Sequence, residues 1–348
     1  MTLPVRITRT GIPMTEFGLG GAQFGNLYRE IETADVERVV ELAWEAGIRV
    51  FDTAPHYGMG LSERRLGAVL QRYPRDEFVL STKVGRLIRD NPGGTGWDDQ
   101  FYMVPATTKR VWDFSGDGVR RSLEESLDRL GLDRIDIAYL HDPDDHWDEA
   151  ISGAVPALQA LREQGVIRGF GAGMNQSAMV ERFIREGDAD VVMVAGRYTL
   201  LDQSALADAI PAAEETGASI VIAGVYNSGM LAMPRPKEGA NYDYQAADPE
   251  LIARANRIAD SCERHGVTLP EAAIAFVLRQ PSVVSVVFGA SRPSQLEQNL
   301  QRAAVEVAGN DLLTIRVGDQ VMTRKNDRDL GVANRDVWQV QHVNQDQS

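Results

Sequence analysis

The stretch IRVFDTAPHYG, residues 48–58, decides how the rest of the chain is read. Ile48, Val50 and Phe51 make a short apolar run that stops on Asp52, and small residues then lead to Tyr57 beside Gly58. A brief apolar run bounded by turn residues predicts a buried strand. Just ahead of it, Gly47 ends the amphipathic pattern over 36–46 in the way glycine commonly ends a helix. Helix, glycine, strand and polar strand end form one unit, and the unit recurs.

Toward the N-terminus, residues 3–12 close on a Thr-Gly turn and 16–20 read as a first short strand, so a small hairpin leads into the sheet. The glycine-rich segment GLGGAQFGN, 18–26, lets backbone approach a ligand closely. It is no Rossmann loop. A helix would have to open on its third glycine, whereas the next helical pattern begins near Thr33. Toward the C-terminus, helical patterns over 62–71, 118–130, 151–164, 177–186 and 205–216 alternate with strand patterns over 78–83, 135–141, 167–173, 191–195 and 219–224. Two more helices, 249–265 and 269–279, precede a last strand over 283–289. Strands in that number, alternating with helices, predict an α/β chain closed as a (β/α)8 TIM barrel with its chemistry at the carboxyl ends. Two long connections, Gly85 to Asp113 and Gly229 to Asp248, follow strand ends and are read as substrate loops without structure of their own.

A chain of 348 residues has room for one large barrel, and its 43% hydrophobic and 25% charged residues suit a soluble globular protein. The net charge of −14 argues against a nucleic-acid partner. With no apolar run of membrane length and no secretory signal, a cytoplasmic enzyme without a membrane partner is expected. A single cysteine, Cys262, excludes an internal disulfide and any cysteine-rich metal site. Its helical setting predicts a packed thiol, and no metal is expected.

Four polar side chains stand at strand ends: Asp52 and Tyr57 at the second strand, Lys83 on the third, His141 on the fourth. Each alone has a plain structural reading. Asp52 suits a turn or helix cap, Tyr57 a half-buried loop aromatic, Lys83 a solvated end, and His141 a hydrogen-bonded core position. Neighbouring strand ends share a mouth, however, and there the four make an acid–base set. Trp112, His146 and Trp147 are expected against the substrate, while His56, beside Pro55, is read as a loop residue with at most a minor role there.

A resemblance sharpens this. The strings GLGGAQFGNL (18–27), FDTAPHYGMGLSERRLG (51–67), STKVGR (81–86), DRIDIAYLHDPDD (133–145), GAGMNQ (171–176), AGRYTLLDQ (195–203) and VYNSGMLA (225–232) occur in family order. The chain resembles the aldo-keto reductases, and within them the sugar-oxidising D-threo-aldose 1-dehydrogenases (L-fucose or galactose dehydrogenases), close to the pyridoxal 4-dehydrogenases. The resemblance implies that Tyr57 is the general acid/base, that Lys83 lowers its pKa, that Asp52 pairs with the lysine, and that His141 orients the reacting oxygen. It implies NAD or NADP across the barrel mouth. Gly21, Ala22 and Asp52 would lie beneath the cofactor and Asn175 on the nicotinamide carboxamide. Val225, Tyr226, Asn227, Ser228 and Gly229 would follow the pyrophosphate; Ser291, Arg292, Gln295, Gln298 and Asn299 would hold the adenosine half. Arg292, if it meets a 2′-phosphate, favours NADP. Two family contacts are missing: Ala195 replaces a common glutamine, and no stacking aromatic stands at Ala223 or Gly224. The implied reaction is oxidation of an aldose's anomeric hydroxyl to a lactone, or turnover of a related small aldehyde or alcohol, by a monomer or homo-oligomer. A cofactor-binding regulatory module without turnover and an inactive fusion product are the alternatives.

The barrel is assigned to residues 1–308. From Gly309 the pattern changes to short alternating strands with Gly-Asp and Asn-Asp turns, and VGDQVMTRKNDRDLGV (317–332) resembles the small β insert in helicase domains of conjugative relaxases. Residues 309–348 contain no GK[ST] phosphate loop and are read as a foreign β-rich tail, a fusion or truncation scar.

Overall fold

A computed structural model describes residues 3–243, 245–305, 307, 320–322 and 337–339. Eight parallel strands close a barrel in chain order: β1 (Phe17–Gly20), β2 (Val50–Asp52), β3 (Val79–Val84), β4 (Ile137–His141), β5 (Gly169–Met174), β6 (Val191–Ala195), β7 (Ser219–Ala223) and β8 (Val283–Gly289), the last pairing with the first. This is the expected (β/α)8 barrel. Alternation along each strand builds its interior. Val50, Val79, Ile137 and Val191 form an apolar interior layer near the amino ends, and Ile12 and Met14, at or beside the second strand of the hairpin Val5–Ile7/Pro13–Thr15, plug it from below. One step further up the same strands, inward positions turn polar: Asp52 follows Val50, and Ser81 and Lys83 follow Val79. Strand register then sets Asp52 opposite Ser81, Lys83 opposite Tyr139 and His141 opposite Gly173.

Helices α1 (Thr33–Glu45), α2 (Leu61–Leu70), α3 (Gly116–Leu130), α4 (Val155–Glu163), α5 (Ser177–Glu186), α6 (Ala209–Thr216), α7 (Pro249–Arg264), α8 (Leu269–Leu278) and α9 (Pro293–Ala303) cover the barrel. Their burial follows helical spacing, as at Val36, Val39, Val40 and Ala43 of α1. Ser115 caps α3 by accepting from Gly118 N at 3.0 Å, and Gly131, left-handed at φ 63°, ends it. Glu63 on α2 is fully buried, taking hydrogen bonds from Thr82 Oγ1 at 2.9 Å and Arg129 Nε at 2.6 Å, and so ties α2 to β3 and α3. Cys262 is buried in α7, and burial pushes its thiol up to about 11, which suits packing rather than nucleophilic chemistry.

Several expectations need correction. The Gly85–Asp113 connection is not structureless. Arg86–Asp90 and Thr108–Trp112 pair as an antiparallel hairpin, since Leu87 and Val111 face each other across an alternating pattern broken by the intervening glycines. A smaller ladder, Asn241–Tyr242 with Gln245–Ala246, stands in the second long loop. The helix expected over 151–164 begins as Trp147–Glu149 and passes through a π-turn, Ala150–Ala154, before α4; Pro156 has no N–H to continue a regular ladder. A helix that the periodic pattern did not show, α9, begins within 289–299. Most of the expected tail lies outside the described residues; of it, Gln320–Met322 pairs antiparallel with Val337–Gln339. Among the described residues no helix is long and apolar enough to cross a membrane.

Candidate active site

The Tyr57 loop is built by close packing. Gly58, at φ 63°, lies so near the turn after β1 that a Cβ on it would sit 2.3 Å from Gly25 O. Only glycine fits there, and the interlock seats Tyr57 between the first two strand ends. Beneath it, Lys83 Nζ donates to Asp52 Oδ2 at 2.6 Å and to Thr53 O at 3.0 Å. Asp52 Oδ1 accepts from Ser81 Oγ at 2.7 Å. Lys83 and Asp52 are 2% and 3% exposed, so each charge depends on the other. The ammonium lies 4.7 Å from the centre of the Tyr57 ring. His141 meets the same phenol edge-on, ring centres 5.7 Å apart. Burial, followed by the charges of Arg86 and other neighbours, holds the His141 imidazole well below its ordinary value, so it is neutral. All four expected groups thus converge.

Tyr57, Lys83 and His141 stand in the wall of a cavity of about 670 Å³ at the carboxyl ends of the strands; Asp52, also expected against the cofactor, does not border it and is buried behind Lys83. Trp112 and His146 border it, their rings 4.7 Å apart. Trp147 does not. Its ring packs against Phe183 and under the Arg182 guanidinium on the helical layer, because the turn at 144–146 points it outward. Nor is Gly21 at the surface of the cavity: its N–H bonds Asp52 O at 2.7 Å and a Cβ would strike Ser62 Oγ at 2.7 Å, so its smallness serves packing. Ala22 and Asn175 do border the space.

The positions expected to hold the pyrophosphate and adenosine lie outside the lining of that cavity. Gly224, Asn227, Ser228 and Gly229 all have left-handed backbone, and the Asn227 N–H closes a turn on Gly224 O at 2.9 Å. The Asn227 side chain is spent inside the protein, accepting from Thr199 Oγ1 at 2.6 Å and donating to Gly196 O at 3.0 Å. Val225 is buried. Tyr226 stacks on Phe288 and donates to Asn299 Oδ1 at 3.0 Å. Ser291 gives both N–H and Oγ–H to Gln295 Oε1 and receives Arg29 Nη2 at 2.5 Å. Arg292 and Gln298 are exposed, and neither has a side-chain partner among the described residues.

Several cavity residues escaped the sequence reading, and three of them form one group. His56, set aside as a loop residue, is held in the wall with Arg86 and Asp142. Two of these were signalled by position alone, Arg86 at the end of STKVGR and Asp142 directly after His141.

Residues 16–315 match the model of the aldo/keto reductase family. The chain belongs to that family. This aldo/keto reductase is an oxidoreductase. It is 50% identical over 302 residues to a D-threo-aldose 1-dehydrogenase of Pseudomonas sp., covering 85% of this chain and 92% of the relative. Over 315 residues it is 40% identical to a pyridoxal 4-dehydrogenase of Microbacterium luteolum, covering 84% and 90%. A holo-form aldo-keto reductase of Bacillus halodurans superposes with TM-score 0.70 at 24% identity, covering 89% and 94%, and supports the fold. The family implies a nicotinamide dinucleotide, and the residues present fit one. Gly173, Ala195 and Ala223 make a wall of small residues that leaves space for a flat ring, and the Asn175 amide, both donor and acceptor, matches a carboxamide.

Proposed function

We propose that this enzyme oxidises the anomeric hydroxyl of a neutral aldose, of the L-fucose or D-threo type, to the lactone with NAD or NADP. One observation carries the reading: Tyr57, Lys83 and His141 stand in one cavity wall, with Asp52 paired to Lys83 behind it, in a chain half identical to a D-threo-aldose 1-dehydrogenase. Asn175 would hold the nicotinamide end, and the left-handed backbone at 228–229 the pyrophosphate. When bound, the dinucleotide would supply the acceptor for the hydride of the anomeric carbon.

Tyr57 takes the hydroxyl proton as that carbon becomes a carbonyl. A phenol of ordinary pKa near 10 is a weak base at neutral pH, and the Lys83 ammonium beside the ring favours the phenolate. Asp52 keeps that ammonium in place. His141, uncharged, offers a hydrogen bond to the reacting oxygen without competing for its proton. Carboxylates of Asp99, Asp144, Asp145 and Asp243 also border the cavity, which disfavours phosphorylated sugars.

Nicotinamide absorbance with L-fucose, D-arabinose and pyridoxal, each with NAD and NADP, tests this. Lactone from an aldose is the expected result. Turnover of pyridoxal alone would move the substrate, and no turnover of any of the three would remove the reading.

A further inference from the structure

Beside the Tyr57–His141 pair, one guanidinium fixes two other groups of the wall. Arg86 Nη1 lies 3.1 Å from His56 Nδ1, and its Nη2 donates to Asp142 Oδ2. The Trp112 ring centre lies 4.2 Å from the same guanidinium, and Arg86 is 8% exposed, so it has little freedom to swing. Arginine carries donors only, which makes His56 Nδ1 the acceptor and puts the imidazole proton on Nε2. The one side-chain hydrogen bond of His56 among the described residues is at Nδ1, which leaves Nε2–H for a ligand, and His56 borders the cavity. Its backbone is held too, by Arg110 Nη2 on His56 O at 3.0 Å, while Arg110 is itself paired with buried Asp98. Burial above all, then the charges of Arg86, Arg110 and Lys83, drives the imidazole down to about 2, so no second proton joins it.

Asp142 is the complement. Its left-handed backbone, φ 45° on a non-glycine residue, turns the carboxylate to Arg86. Oδ2 is taken; Oδ1 has no hydrogen-bond partner among the described residues, and Asp142 also borders the cavity. Asp142 Oδ2 is 3.8 Å from His141 Nε2, and the His56 and His141 ring centres are 5.2 Å apart. A pure donor and a pure acceptor therefore flank the place where a reacting oxygen meets Tyr57 and His141. An alkyl chain satisfies neither group, and a carboxylate or phosphate meets repulsion at the second. A hydroxyl both gives and takes.

We propose that His56 Nε2–H and the Asp142 carboxylate, locked in place by Arg86, read hydroxyl groups on the carbons next to the reacting one and so select polyhydroxylated substrates. The inference rests on the reading of the cavity as a hydroxyl–carbonyl redox site and names what that site recognises.

The test compares kcat/KM for reduction of D,L-glyceraldehyde with that for propanal in the full-length protein, so that intrinsic reactivity cancels between enzymes. The glyceraldehyde-to-propanal ratio should fall about 5–30-fold in His56→Leu and severalfold in Asp142→Asn. In His56→Gln, whose amide N–H replaces Nε2–H, it should stay within about threefold of the parent. Ratios within twofold of the parent in both His56→Leu and Asp142→Asn would overturn the proposal, as would a parent enzyme that reduces neither aldehyde. If His56→Leu fails to fold, Asp142→Asn alone decides. A ratio that falls as expected while no aldose yields lactone retains this inference and removes the aldose assignment.

Discussion

Lys83 places its ammonium 2.6 Å from Asp52 and 4.7 Å from the Tyr57 ring centre, and both separations matter for different reasons. The first is a stability matter, the second a catalytic one. Tyr57→Phe removes the phenolic oxygen that accepts the proton and keeps the ring. It should lower kcat by about 10²–10⁴-fold, with dinucleotide affinity, read by fluorescence titration, within about twofold of the parent. Activity close to the parent would take Tyr57 out of the mechanism. Lys83→Met leaves Asp52 buried with Ser81 as its remaining side-chain partner, and an uncompensated buried charge costs about 3–5 kcal/mol, visible as a large drop in urea midpoint. Arg134→Ala is the contrast, because its partner Asp76 is 91% exposed and the pair is screened by water, so the midpoint should hardly move. Asp52, Tyr57, Lys83 and His141 were legible in the sequence because strand ends announce themselves as apolar runs closing on a polar residue. His56 was not, since its part depends on Arg86 and Asp142, 30 and 56 residues from their respective partners.

At the scale of elements, α2 is the piece that steadies the site, since it follows the Tyr57 loop directly and carries buried Glu63. Gly67 lets it approach α3: a Cβ there would sit 2.1 Å from Leu130 O, a backbone atom that cannot step aside. Replacing a helical glycine by alanine gains about 1 kcal/mol in propensity, yet overpacking costs about 1–3 kcal/mol or more. With backbone as the obstacle the second effect wins. Gly67→Ala should lower the melting temperature and also kcat; a melt at or above the parent's would show that the helices part without cost. The order of helices and strands was readable from glycine-stopped periodic runs. The Arg86–Asp90/Thr108–Trp112 hairpin was not, because its strands are separated by a glycine-rich, aromatic stretch whose composition matches a loop.

For the whole molecule, buried neutral histidines make stability depend on pH. His56 and His141 are both held below their ordinary 6.5 in the fold, His56 at about 2. As pH falls through 6.5, the unfolded chain binds protons that the folded chain refuses, so acid favours unfolding. Each such histidine contributes a slope of about 1.4 kcal/mol per pH unit, opposed within its own range by Asp142, whose carboxyl burial raises. The urea midpoint should fall from pH 6.5 to pH 5, and His56→Gln should fall by less; an equal fall would separate His56 from the effect. Residues 309–348 raise a separate question of autonomy. A chain ending at 308 retains all eight barrel strands and, among the described residues, every one bordering the cavity, and should keep its melting temperature and kcat. Failure to fold would make the tail part of the barrel.

Periodicity and glycine stops were enough for the barrel, because strand and helix spacing are local properties that burial on a closed sheet rewards directly. The same local logic placed the phenol, ammonium, carboxylate and imidazole at neighbouring strand ends. What required the folded chain was anything set by side-chain direction or long-range contact: Trp147 turned outward onto Phe183, Gly21 used for packing, and Arg86 joining a histidine from one loop to an aspartate from another. Local sequence does not encode those meetings, since they depend on register and close packing across the barrel mouth, and those arise only when all eight strands have closed.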